Sequence, residues 1–331
     1  MKLRLARHRS RHGGSQAARR CAARLLLVGL AVSLVLAVGC GPGPARAGSG
    51  EVELRVTSGF GQRVIYAAER ERVSPGETVL SWLQSQRRVE TGPGDRSVRS
   101  IDGIEADDRL GRWSWSYFVN GLEGDPGAAD RRLPPGAAVQ WDYRRRDSAP
   151  SVPAIVGAYP EPMLSGSEGK RLPVRMECAN DRSRACREVR RRLGASGVIA
   201  SVGPFGDPAG ENTIRVVVAP WSLARRVRAA TSLDEGPRAS GVFARFREEG
   251  ATLELLDSAG RPAQIAPPGT GLVAATALEG EQRVWLVTGV DEAGVERAAA
   301  ALEGQTLRDR YAVAALPDGA LALPLGGAEP R

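Results

Sequence analysis

Histidine, lysine and cysteine are where catalysis would start, and this chain spends all three sparingly. Its 331 residues hold two histidines, His8 and His12, both in a basic N-terminal stretch that reads as a leader. Without that leader the chain has no imidazole, which excludes a Ser/His/Asp or Cys/His engine and any histidine-ligated metal. Ser167-Glu168-Gly169-Lys170 spells the S-x-x-K serine-nucleophile motif, but it lies between glycines and prolines, and Lys170 is the only lysine beyond Lys2. The K-T-G partner of that motif therefore cannot exist. Gly289 to Gly294 fits the frame of a phosphate loop, yet Val295 and Glu296 stand where Lys and Ser/Thr are required, and Asp291 and Glu292 would repel phosphate. The aspartates match no EF-hand spacing. The expectation is a protein without catalysis.

What remains is recognition. Arg112 to Arg144 carries three of the six tryptophans, Trp113, Trp115 and Trp141. As a strand, Trp113 to Val119 sets Trp113, Trp115, Tyr117 and Val119 on one face and Ser114, Ser116 and Phe118 on the other. Pro134-Pro135-Gly136 then turns into Ala138 to Tyr143, where Val139, Trp141 and Tyr143 share a face opposite Gln140 and Asp142. Such a row is either a stacking platform for a flat ligand or the core face of a small sheet.

The net charge of +8 invites a nucleic-acid reading. However, eight of the 46 basic residues lie before residue 25, and residues 1–40 contain no acid, so the remainder balances at 38 basic against 38 acidic residues. No phosphate-tracking surface is indicated, and no nucleic-acid partner is expected. Leu25 to Val38 is an apolar run of signal-peptide length, too short to span a bilayer comfortably. Two cleavage readings follow. Ala37-Val38-Gly39-Cys40 resembles a bacterial lipobox, which would lipidate Cys40; Ala45-Arg46-Ala47 fits an ordinary signal peptidase. The first is preferred because a lone cysteine ending an apolar core has little other purpose. Either reading places the chain outside the cytoplasm, on the outer face of the membrane or secreted, and leaves Cys178 and Cys186 to form a disulfide.

Four segments follow: a leader over 1–47, a first domain over 51–147, a proline-rich connector over 148–173, and a second domain over 174–331. In the first, Glu51 to Val56 and Val64 to Ala67 read as a hairpin. Thr78 caps a helix from Val79 to about Arg87, and strands follow at Val98–Ile104, Trp113–Val119 and Ala138–Tyr143. In the second, strands at Val174–Cys178, Thr213–Ala219, Leu272–Thr276, Val284–Thr288 and Tyr311–Ala315 alternate with helices. Those helices are expected from Asp181 to Leu193, Ser222 to Ala230 and Glu292 to Leu302, with further strands after Pro237. The fold class is α+β: a β-grasp, ubiquitin-like domain, then an α/β sandwich with a mixed sheet.

SIDGIE, WSYFVNGL, GAAD, LPPG and WDY in the first domain resemble the bacterial members of the transcobalamin C-terminal-like family. That resemblance covers about 51–143 and implies the β-grasp fold, export, and binding of a corrinoid such as cobalamin. By its pattern Trp115, Tyr117, Asn120 and Gly121 face the ligand with Leu122 just beyond; Trp113 extends the row. The expected partners are a small-molecule ligand, a membrane transporter that receives it, and the membrane through the lipid anchor. The alternative is a non-catalytic protein-interaction or cell-envelope module.

Overall fold

The computed structural model describes residues 50–107, 113–125, 127–207, 210, 212–277 and 283–326. The leader, with His8, His12 and Cys40, lies outside the described residues. The chain is mixed α and β, with many strands and few helices.

β1 (Val52–Ser58) and β2 (Arg63–Arg70) form the expected antiparallel hairpin. α1 (Val79–Gln86) begins at Thr78, whose hydroxyl accepts from Ser81 N at 3.1 Å while Ser81 Oγ accepts from Thr78 N at 2.9 Å. This reciprocal cap satisfies two amides that the first helical turn would leave unpaired. β3 (Val89–Thr91), β4 (Val98–Ile101) and β5 (Ile104–Glu105) make a small sheet of their own. The single strand expected over Val98–Ile104 is two strands, because Asp102 and Gly103 take φ of 51° and 84° and close a two-residue hairpin. β6 (Trp113–Val119), β7 (Leu122–Glu123) and β8 (Ala138–Arg145) complete a five-stranded sheet in the order β2-β1-β8-β6-β7. β1 and β8 run parallel, and the other neighbours are antiparallel.

The second half opens with β9 (Val174–Cys178), α2 (Arg184–Ala195), β10 (Ala200–Gly203) and β11 (Ile214–Pro220). Ser183, not Asp181, caps α2: its hydroxyl accepts from Cys186 N at 3.1 Å. The disulfide joins Cys178 at the end of β9 to Cys186 in the first turn of α2, with Cα atoms 5.9 Å apart. The helix expected from Ser222 to Ala230 is interrupted: α3 (Trp221–Ala224) and α4 (Arg228–Glu235) flank Val227, which turns into the core at 3% exposure. Pro237 starts a helical turn, α5 (Pro237–Ser240), that Gly241 ends in the left-handed region. β12 (Ala244–Arg247), β13 (Thr252–Leu256) and β14 (Pro262–Ile265) form a three-stranded sheet. β15 (Gly271–Ala277), β16 (Arg283–Gly289), α6 (Glu292–Ala301), α7 (Gly304–Leu307), β17 (Ala312–Leu316) and β18 (Gly319–Leu323) follow.

The main sheet is seven-stranded, in the order β10-β9-β11-β16-β15-β17-β18. Alternation sends Val216, Val218, Val273, Trp285 and Val287 into a core beneath α2 and α6, and Val217, Ala219, Leu272, Ala274 and Leu286 into a core beneath β12–β14 and α3–α5. Apolar residues on both faces of β11, β15 and β16 are what a doubly covered sheet requires.

The two halves are not strung on an open linker. Ala149, Val152 and Ile155 of the connector sit in one of those cores, and Ala154, Val156, Tyr159 and Met163 in the other. Nor is the outer face of β8 solvated. Gln140, Asp142 and Arg144 are buried there with Phe118 of β6, beneath Tyr311. Asp142 accepts from Thr57 Oγ1 (2.7 Å), Phe60 N (3.0 Å), Gly61 N (3.1 Å) and the Tyr311 hydroxyl (2.8 Å). Arg55 pairs with Asp309 through both ends of its guanidinium, and Gln140 Nε2 donates to Asp309 O at 3.1 Å.

Candidate functional site

Strand alternation decides where the aromatic row points. Trp113, Trp115, Tyr117 and Val119 of β6 share one core with Val139, Trp141 and Tyr143 of β8, while Phe118 belongs to the core between the halves. The register sets Trp115 opposite Tyr143 and Tyr117 opposite Trp141. Their ring centroids are 5.2 and 5.0 Å apart, and Trp113 stacks on Tyr143 at 5.4 Å. Three polar tips are satisfied from within: Trp115 Nε1 donates to Ile104 O at 3.0 Å, the Tyr117 hydroxyl to Asp125 O at 2.7 Å, and the Tyr143 hydroxyl to Glu105 O at 2.8 Å, whereas the buried Trp141 Nε1 has no hydrogen-bond partner among the described residues. Burial, the leading cause, pushes the Tyr117 phenol above its ordinary value.

These rings are also the floor of a cleft of about 760 Å³, within the range of small-molecule sites. Trp115, Tyr117, Leu122 and Trp141 supply its aromatic and aliphatic floor. Arg96 and Ser97 enter before β4, Arg146 and Ser151 after β8, and Asn212 and Arg283 from the second half. Trp115 and Tyr117 are each only 7% exposed, so a ligand would meet ring edges rather than whole faces. Tyr117 owes its position to Gly124, where a Cβ would fall 2.0 Å from the ring.

Of the six expected ligand residues, Trp115, Tyr117 and Leu122 thus come together in the cleft, whereas Trp113, Asn120 and Gly121 do not line it. Asn120 and Gly121, at φ of 53° and 73°, make the two-residue turn between β6 and β7. Asn120 Oδ1 accepts from Ala138 N at 3.0 Å, and its Nδ2 donates to Gly166 O at 3.3 Å. Gly121 O accepts from Ile155 N at 2.8 Å, and a Cβ there would lie 2.8 Å from Ile155 O. The turn grips the connector and lies outside this cleft. Sequence reasoning missed Arg96, Arg146, Asn212 and Arg283. Only Trp141 carried a signal, through its alternation in β8.

Residues 76–145 match a family described as a domain of unknown function, DUF4430. The match runs from the turn before α1 to the end of β8. It omits β1 and β2, which belong to the same sheet. No curated protein matches the chain. Among solved structures, a candidate metal-binding protein from Ruminococcus gnavus ATCC 29149 is similar at 16% identity and a TM-score of 0.23, over 29% of this chain and 96% of that one. Among the described residues, no three His, Cys, Asp or Glu side chains are grouped so as to hold a metal ion.

Proposed function

We propose that this is a non-catalytic binding protein, exported and lipid-anchored through Cys40, whose ligand occupies the cleft beside Trp115, Tyr117 and Leu122. The observation that carries the reading is the cleft itself, about 760 Å³ in volume, floored by aromatic rings and walled by residues from both halves. The strand order β2-β1-β8-β6-β7, with α1 across one face, supports a β-grasp first half, as the resemblance to transcobalamin C-terminal-like domains implies. A corrinoid handed on to a membrane transporter is the ligand that resemblance favours. Metal binding is not carried over from the Ruminococcus gnavus protein.

Titration of the purified chain with cobalamin, cobinamide and haem tests the reading. Saturable quenching of tryptophan fluorescence is expected with at least one of them, because Trp115 and Trp141 lie in the cleft floor. Absence of saturation with all three removes the corrinoid and flat-cofactor versions. One observation favours a second reading, the protein-interaction or envelope module: the rings spend most of their surface on each other, with Trp141 at 2% exposure. Detection of the lipid on Cys40 by mass spectrometry of the membrane fraction tests the anchor separately.

A further inference from the structure

The walls of the cleft carry more information than its floor. Arg96, Arg146 and Arg283 come from three distant parts of the sequence and converge on one cavity. Three carboxylates line it as well: Asp95, Glu123 and Asp125. Glu123 is already committed. Its Oε1 accepts from Nη2 of the fully buried Arg144 at 2.9 Å, and its Oε2 accepts from Ser151 Oγ and from Val152 N at 2.8 Å. Asp95 accepts from Thr91 Oγ1. Glu123 and Arg144 therefore pair with each other, leaving three guanidiniums against two carboxylates among the described residues that line the cleft.

None of the three guanidiniums forms an ion pair with a described residue. Arg146 directs Nε and Nη2 onto a neutral acceptor, Pro150 O, at 3.0 and 2.6 Å. That contact fixes its orientation and leaves it without an ion pair among the described residues. Burial first, and then the Arg144 guanidinium, depress the Arg146 pKa, while Glu123 acts in the other direction. Arginine stays charged regardless, and its planar fork matches carboxylate and phosphate oxygens in two-point contacts.

From this convergence we infer that the cleft selects an anionic ligand, whose carboxylate or phosphate group is held by Arg96, Arg146 and Arg283 while its body abuts the exposed edges of Trp115, Tyr117 and Leu122. The inference rests on the binding reading above and narrows it to a charge class.

Two matched probe pairs test it with the full chain purified in detergent. Protoporphyrin IX and its dimethyl ester differ only in two carboxylates; cyanocobalamin and cobinamide differ by the phosphate-bearing nucleotide arm. Binding is measured for the wild type, for the double variant R96Q/R283Q, and for Ser97→Phe, which narrows the mouth without changing charge. In at least one pair the phosphate- or carboxylate-bearing member is expected to bind ten-fold or more tightly than its counterpart, and that pair identifies the anion. The double variant should weaken that member about ten-fold and leave its counterpart within two-fold, and higher salt should act in the same direction. Should both members of each pair bind the wild type equally, or should the double variant bind the anionic probe as the wild type does while Ser97→Phe abolishes binding, the anion inference falls and the cleft survives. Where Ser97→Phe binds every probe normally, or no probe binds at all, both fall.

Discussion

Replacing Asp142 by Asn asks whether burial or hydrogen bonding controls the carboxyl that lies between the two halves. The side chain is fully buried, and burial, the largest influence, raises its pKa; the donors Thr57, Tyr311 and Gly61 and the nearby Arg144 pull the other way. Asn keeps one oxygen for Thr57 and Gly61 but turns an amide NH₂ toward the Phe60 N–H and the Tyr311 hydroxyl. The hydroxyl can rotate; the peptide N–H cannot. One orphaned buried donor costs about 1–3 kcal/mol, which in a chain of this size lowers Tm by about 2–4 °C per kcal/mol. The pH dependence is the sharper measurement. A carboxyl whose folded value is raised contributes stability that is complete below its unfolded value and declines as pH rises through the folded value. The advantage of wild type over Asp142→Asn should therefore shrink as pH rises above the ordinary carboxylate range, by about 1.4 kcal/mol for each tenfold change in the acid constant. Other carboxyls behave oppositely, such as Glu188, held down to about 2 chiefly by Arg191, but they are common to both proteins and cancel in the difference. Denaturant unfolding of the pair at four pH values is the assay. An advantage that grows with pH would refute the argument and mean that the four donors hold the charged form.

Three further outcomes follow from the packing. Gly124→Val should push the Tyr117 ring from its place, costing about 1–3 kcal/mol through overpacking and changing any affinity measured at the cleft; a crystal structure of the variant with the ring unmoved would contradict this. Cys178→Ser with Cys186→Ser should remove about 2–3 kcal/mol, the loop-closure contribution of so short a loop, and dithiothreitol should lower wild-type stability by a like amount without affecting the variant. Phe118→Ala, which empties a fully buried site beside Tyr311, should cost about 3–5 kcal/mol and lower the unfolding midpoint of both halves together. Separate midpoints for the two halves would show that their shared core is not cooperative.

Local signals were legible wherever the chemistry is local. Thr78 declared the start of α1, the alternation of Trp113 to Val119 fixed both the limits of β6 and its faces, and the spacing of Cys178 and Cys186 foretold their bond. Asn120-Gly121 is likewise a strong turn signal, but only the family pattern gives it a ligand, and nothing in the sequence shows that the connector lies against it. The edge strands β10, β14 and β18 carry no sequence signal, since an exposed edge needs no apolar alternation: all four residues of β14 are exposed. Least legible was the cleft wall. Arg96, Asn212 and Arg283 have no mutual spacing to betray them, and only the packing of the halves makes them neighbours.

That packing also bears on how fast the site could work. Phe60, Phe118 and Tyr311 meet edge to face across the seam, and swinging the halves apart would wet all three along with Asp142. The cleft is thus already formed in the structure without a ligand. Capture should proceed in a single kinetic phase whose rate rises linearly with ligand concentration, with no plateau from a slow rearrangement and no change in radius of gyration on filling. Under the binding reading proposed above, discrimination between ligands would rest on residence time, not on gating.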